Sequence, residues 1–371
     1  ATPFRLTHVP INMNKHTEEK TGRLRYFDAL RGFSIIFVVF SHVVLFSMGL
    51  TDVKDSTVNW VVMTFLMPLF FFVSGFFAYR VCTRWTAFLV GDVIKRKIQA
   101  QIIGTIVFCS LFLFCQGQGI FTWLHTGFQG YWFTITLFQM FLIFLALSLL
   151  SRLCCTERML DIGLLLVSSI YFLSFGVTAI REFWDSPLGG ILCEYEVTRY
   201  FQFFALGIFC RKYWNQFARL LTKDWFKTFF IVIFVMCLCF MNLIENSQIS
   251  PLAPPNSTKM IGILVRYAGL IVVVSFFFSK ERYFNEGNIS GNLLEYIGRR
   301  TLDIYLLHYF FLPNLKFLQP FLTTGNTVII QLFIGITVSA AIITLCLLIS
   351  NVLRSSNFLA SWLFGVKPPP K

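Results

Sequence analysis

The chain has 371 residues, of which 56% are hydrophobic, 18% aromatic and only 13% charged, with a net charge of +13. A soluble domain carries about twice that charged fraction, so a water-soluble fold is excluded and an all-α polytopic membrane protein is indicated. The positive charge is scattered between apolar runs and not gathered into a stripe, which argues against nucleic acid as a partner and for contact with anionic lipid.

Residues 1–26 form a polar leader of mixed charge containing His8 and His16, and Met13 could mark a natural start with residues 1–12 as an extension. It carries no cleavable signal pattern, because the first apolar run is too long. Ten apolar segments follow, at 27–50, 57–79, 98–115, 131–150, 160–177, 197–210, 225–243, 260–278, 301–318 and 328–350. They predict about ten transmembrane helices in one domain over 27–353, followed by a short tail, 354–371. The sixth segment is short. The ninth holds Pro313 near its end, where a helix kinks or stops. With the N-terminus inside, alternating sides place most of the 31 basic residues in cytoplasmic loops, and both termini are expected in the cytoplasm.

The first segment holds the leading candidates. His42 stands alone as a titratable side chain in Phe33 to Leu50, and Arg31 precedes it by eleven residues. Eleven helical steps return to within about 20° of the starting direction and advance about 16 Å, so both share one face, Arg31 at the membrane edge and His42 near the middle. Asp28 lies on that face and can neutralise Arg31. Intramembrane ionisable groups are costly and commonly functional, although a lone histidine is as often a neutral ring bonded to a neighbouring helix.

Beyond the second segment, Arg80, Arg84, Lys95, Arg96 and Lys97 are assigned to the cytoplasmic face, where they could hold phosphates of a soluble donor. His125 falls in an outer loop and reads as solvated. The outer stretch 179–197 carries Arg181, Glu182, Asp185, Glu194 and Glu196, and the stretch 244–259 is rich in Pro, Asn and Ser. Arg199 and Arg266 lie in or at the ends of segments. Ser34, Ser41, Thr64, Ser74 and Asp303 are further polar residues inside spans; the Ser and Thr among them commonly bond their own helix. In the ninth segment Tyr305 and His308 share a helix face. The ten cysteines lack the spacing and histidine partners of a zinc site and read as packing residues, and no metal is expected.

Arg25-Tyr-Phe-Asp28-Ala-Leu-Arg31-Gly32 running into Ser41-His42 resembles the opening of the acyltransferase-3 family of membrane O-acyltransferases, with arginine, ten residues and histidine in the first span. Met67-Pro68 through Ser74-Gly75, Gly130-Tyr-Trp132-Phe, Phe203-Phe-Ala-Leu-Gly207 and Tyr305-Leu-Leu-His308 resemble later family stretches in the same order. The family's arginine pair near the third span is replaced here by Lys95-Arg96-Lys97-Ile-Gln99. The resemblance implies transfer of an acyl group, usually acetyl from cytosolic acetyl-CoA as co-substrate, to a hydroxyl of an envelope glycan or lipid-linked sugar, in a bacterial cytoplasmic membrane. It makes His42 the catalytic histidine and Arg31 its partner, with Asp28, Tyr305 and His308 beside them. Lys95 to Lys97, with Arg80 and Arg84, are the donor candidates, and Trp132, Glu194, Arg199 and Arg266, with Asp185 and Glu196 of the outer stretch, are candidate acceptor contacts. A neutral His42 could take the acceptor's proton, while a covalent acyl-enzyme stays open. Succinyl or longer acyl donors also remain open. A ten-span transporter of a small anionic solute is the competing class, but no internal two-fold repeat or matched pair of broken helices supports it. A membrane scaffold or sensor would leave Arg31 and His42 without purpose.

Overall fold

A computed structural model describes residues 25–51, 55–79, 87–153, 158–246, 257–285, 288–324 and 327–366. Among these the chain is helical throughout, without strands. Seven helices are long and apolar enough to cross a membrane, and an eighth span is available if one bent pair counts as a unit. The seven begin with α1 (Arg25–His42), extended to Ser47 by a π-helical turn, and α2 (Thr57–Ala78). The third joins α3 (Ala87–Lys97) to α4 (Gly104–Cys115) through a π-helical turn at Ile98–Ile103. The others are α5 (Trp132–Leu153), α10 (Asp224–Asn246), α11 (Ser257–Ser279) and α14 (Val328–Ser355). The bent pair is α6 (Arg158–Ser174) with α7 (Thr178–Trp184), turned through 91°; α8 (Pro187–Leu192) follows.

Two of the ten apolar segments take other forms. The sixth lies within α9 (Glu194–Lys212), whose 19 residues include Glu194, Glu196, Arg199, Arg211 and Lys212. The ninth is discontinuous: α12 (Ile289–Arg299) leads into α13 (Thr301–Leu307), then a 3-10 turn at His308–Phe311. Its apolar composition is real, but the helix ends six residues before Pro313. Within the expected tail, α15 (Asn357–Phe364) packs on the π turn at 98–103.

Packing follows small residues, as it must where lipid offers no hydrophobic drive between helices. A Cβ on Gly32 would collide with the carbonyl of Leu294, and one on Gly298 with the carbonyl of Asp28. The backbones of α1 and α12 therefore touch, bringing Arg299 next to the face of α1 that carries Arg31. The α2–α9 pair is packed as extensively, with Phe71 stacked on Tyr200 at 5.2 Å and Tyr200 on Trp132 at 5.9 Å. α13 is clamped to α14 by the fully buried Asp303, which accepts from Arg354 Nε at 2.6 Å and Nη2 at 2.7 Å and also faces Arg300 and Ser350.

Candidate active site

Arg31 and His42, both in the unbroken helix α1, line one cavity of about 350 Å³. Arg96, Lys97 and Arg299 also line it, giving four permanent cations with no carboxylate in the wall. Each arginine is balanced on its own helix by an acid three or four residues earlier: Arg31 by Asp28 at 3.8 Å, Arg96 by Asp92 at 2.7 Å, and Arg299 by Glu295. The acids are turned out of the cavity, so the cations present themselves inward. Arg31 also sits 4.6 Å over the Phe77 ring, and Lys97 4.1 Å over Phe141.

The histidines meet. His42 Nδ1 is 2.7 Å from His308 Nε2, and the rings stack at 4.9 Å. His308 Nδ1 lies 3.0 Å from the Ile304 carbonyl. A carbonyl only accepts, so His308 carries its proton on Nδ1 and offers the lone pair of Nε2. His42 must then donate from Nδ1, which leaves the lone pair of His42 on Nε2. Tyr309 Oη lies 3.5 Å from that atom, too long for a strong bond. Tyr309 donates instead to the Gly130 carbonyl at 3.2 Å. Tyr305 donates to the same carbonyl at 3.0 Å and accepts from the Phe133 N–H at 3.2 Å. Two residues before the π turn, Ser41 is bonded to Asn59.

Tyr305 and Trp132 complete the cavity wall, and Asp28 is buried behind Arg31. Lys95 is exposed and outside the cavity. Arg80 and Arg84 lie outside the described residues. Of the acceptor-side candidates only Trp132 lines this cavity. Glu194 heads α9 and lines no cavity described here. Arg199 donates to Tyr195 Oη at 3.2 Å and lies over the Tyr195 and Tyr200 rings. Arg266 is half-buried on α11, within electrostatic reach of Arg199. Among the described residues no group of side chains could hold a metal, and the described cysteines are unbridged.

Three lining or contacting residues escaped the sequence reading. Tyr309 is reached through the 3-10 turn, Arg299 through the Gly32–Gly298 crossing, and Gln101 through the π turn that follows Lys97. Gln101 is buried against the cavity, and its amide oxygen has no hydrogen-bond partner among the described residues. Its one sequence signal was a glutamine inside an apolar run.

No curated protein and no solved structure matches the chain. The sequence profile of an acyltransferase domain does match, over residues 24–350. That span takes in α1 with Arg31 and His42, the basic wall, the broken helix with His308 and nearly all of α14, and the chain accordingly belongs to the acyltransferase-3 family of membrane acyltransferases.

Proposed function

We propose that the chain transfers an acyl group, acetyl in the first instance, from a cytosolic acyl-CoA to a hydroxyl of an extracytoplasmic glycan, with His42 Nε2 as general base. In this reading the chain crosses the membrane about ten times with both termini inside, α9 and the broken segment completing the count. The observation that carries the reading is the hydrogen-bond chain from Ile304 through His308 to His42. It fixes a lone pair on Nε2 in a cavity whose other wall is basic.

Phosphates of the donor suit the Arg31, Arg96, Lys97 and Arg299 end, where four cations lower the energy of an anion. The cavity spans the roughly 16 Å from Arg31 to His42, a length suited to a thin pantetheine arm. Gln101 faces that path, and its unpartnered oxygen would accept an amide N–H of the arm, removing the cost of a buried orphan acceptor. The acceptor hydroxyl gives its proton to Nε2 as its oxygen attacks the thioester carbonyl. The tetrahedral centre collapses with cleavage of the C–S bond, and the proton passes to the departing thiolate. The products are the ester and free CoA thiol, so no further reactant is needed. The transporter alternative has no support in the fold or the family.

The test is transfer of radiolabel from acetyl-CoA in membranes containing the wild-type chain or His42→Ala, with host glycans present. Label should enter a glycan fraction with the wild type, and His42→Ala should reduce the rate about 10²–10⁴-fold with the fold intact. A folded His42→Ala protein with the wild-type rate would sink the assignment.

A further inference from the structure

At the opposite end of the bundle from the basic wall lies a second cavity, of about 580 Å³. It is built where the bend between α6 and α7 folds the chain back over the start of α5. Gly127 adopts a left-handed φ of 69°, and a Cβ there would press on the carbonyl of Gly190. The loop before α5 and helix α8 can therefore close on each other only with glycine at 127. Ser186 caps α8 by accepting from the Gly189 N–H at 3.1 Å, and this fixes the segment that carries Trp184 and Asp185.

The walls of the two cavities differ in chemistry. The inner one is basic. The outer one has three mutually packed rings, with Phe175–Trp184 at 5.1 Å, Trp184–Tyr195 at 5.4 Å and Phe175–Tyr195 at 6.1 Å. Asp185, Glu196 and Arg181 stand in the same wall, and neither acid forms a salt bridge among the described residues. Trp132 lines both cavities. Its ring, stacked on Tyr200, is the partition between them.

We infer that this outer cavity is the acceptor site and that it takes a hydroxylated sugar ring. The inference rests on the acyl-transfer reading for its purpose but not for its chemistry. Aromatic faces are electron-rich and lie well against the C–H faces of a pyranose. The carboxylates of Asp185 and Glu196, outside the salt bridges of the described residues, accept bonds from its hydroxyls, and Arg181 donates to them. An anionic ligand would meet two acids here, and a purely apolar one would leave three charged groups facing it. A sugar satisfies both kinds of wall, in the manner of an apolar pocket with a few convergent polar groups. One edge of a ring bound against Trp132 points toward the cavity that contains His42.

The test is saturation-transfer NMR on the full chain in lipid nanodiscs, with methyl β-D-glucopyranoside, methyl α-D-mannopyranoside and methyl N-acetyl-β-D-glucosaminide as probes. At least one glycoside should show saturated ring C–H signals with the wild type and equally with His42→Ala, because binding needs no catalysis. Trp184→Ala should weaken that binding about tenfold, while Trp184→Phe retains most of it. Glu196→Gln, which leaves the ring cluster whole, should weaken it by about three- to tenfold. Absence of saturation for all three glycosides on folded wild type would overturn the inference. So would wild-type binding by both Trp184→Ala and Glu196→Gln. A His42→Ala protein that binds sugar and still transfers label refutes the catalytic reading alone.

Discussion

Replacing His308 with leucine removes the acceptor that holds the His42 Nδ1 proton, 2.7 Å away, while keeping an apolar side chain in a fully buried position. In the resting enzyme the lost bond joins neutral groups and is worth about 0.5–1.5 kcal/mol. As His42 accepts a proton, its Nδ1–H becomes a cationic donor, and bonds to charged groups are worth about 1.5–3 kcal/mol. The difference, about 1–1.5 kcal/mol, appears in the transition state, so kcat should fall about 5- to 13-fold, with little change in KM for either substrate. His308→Gln restores an acceptor oxygen near the same place and should recover most of that loss. The assay is initial-rate label transfer at saturating acyl-CoA, with monodispersity in detergent as the fold check. Full activity in a folded His308→Leu protein would refute the relay, and so would a His308→Gln protein no better than His308→Leu. A purely structural role for His308 predicts the second pattern, and a positioning role predicts rescue.

The other predictions test the donor path and the scaffold. Arg31→Lys keeps the charge and loses the planar fork, so a rise of about tenfold or more in donor KM marks bidentate phosphate recognition, and near-normal kinetics argue against it. The double variant Arg96→Ala/Lys97→Ala should raise donor KM by about three- to tenfold at low salt and leave kcat unchanged, with the gap narrowing at high ionic strength; a salt-independent change would contradict a screened electrostatic attraction. Gln101→Leu should raise donor KM about three- to tenfold if its orphan oxygen meets the pantetheine arm, and an unaltered KM would remove Gln101 from the path. Asp303→Asn leaves the Arg354 guanidinium without its buried counter-charge, at a cost of about 3 kcal/mol, read as a lower Tm with kcat retained in the protein that stays folded.

The pair Arg31 and His42 was legible in the sequence because one regular helix carries both residues, and helical period alone decides that they share a face. Most of the remaining site depends on departures from regularity. Gln101 lies in the π turn at Ile98–Ile103, where the period of 3.6 fails. Arg299 reaches the cavity because Gly32 and Gly298 let two backbones touch, and a hydropathy pattern carries no such information. Of the charges singled out near an outer face, Asp185 and Glu196 line the second cavity with Arg181, whereas Glu194, Arg199 and Arg266 do not; the rings beside them, Trp184 and Tyr195, carry no signal in a charge pattern. That cavity follows from the 91° bend after Ser174, which an apolar count reads as a plain loop. The segment 301–318 shows the same limit from the other side. Its composition suits a span, and composition does not report where hydrogen bonding changes register.

That break is what makes the histidine pair possible. In an α-helix successive side chains are about 100° apart and rise 1.5 Å each, whereas a 3-10 turn sets them about 120° apart with about 2.0 Å of rise. His308 and Tyr309 open such a turn, and both rings lie against His42, at 4.9 Å and 5.0 Å. The turn also frees the chain to leave the bundle axis, so that Tyr309 can reach the Gly130 carbonyl beside the start of α5. A break inside a membrane leaves backbone groups without partners unless neighbouring protein supplies them. Here the Leu306 carbonyl accepts from Tyr131 at 3.2 Å, the Ile304 carbonyl is used by His308, and the Asp303 clamp to Arg354 pins the other end of α13. The interruption is therefore buttressed on both sides. One of the bonds that satisfies it, His308 to the Ile304 carbonyl, also sets the tautomer of His42, so the irregular backbone and the orientation of the base are joined in one arrangement.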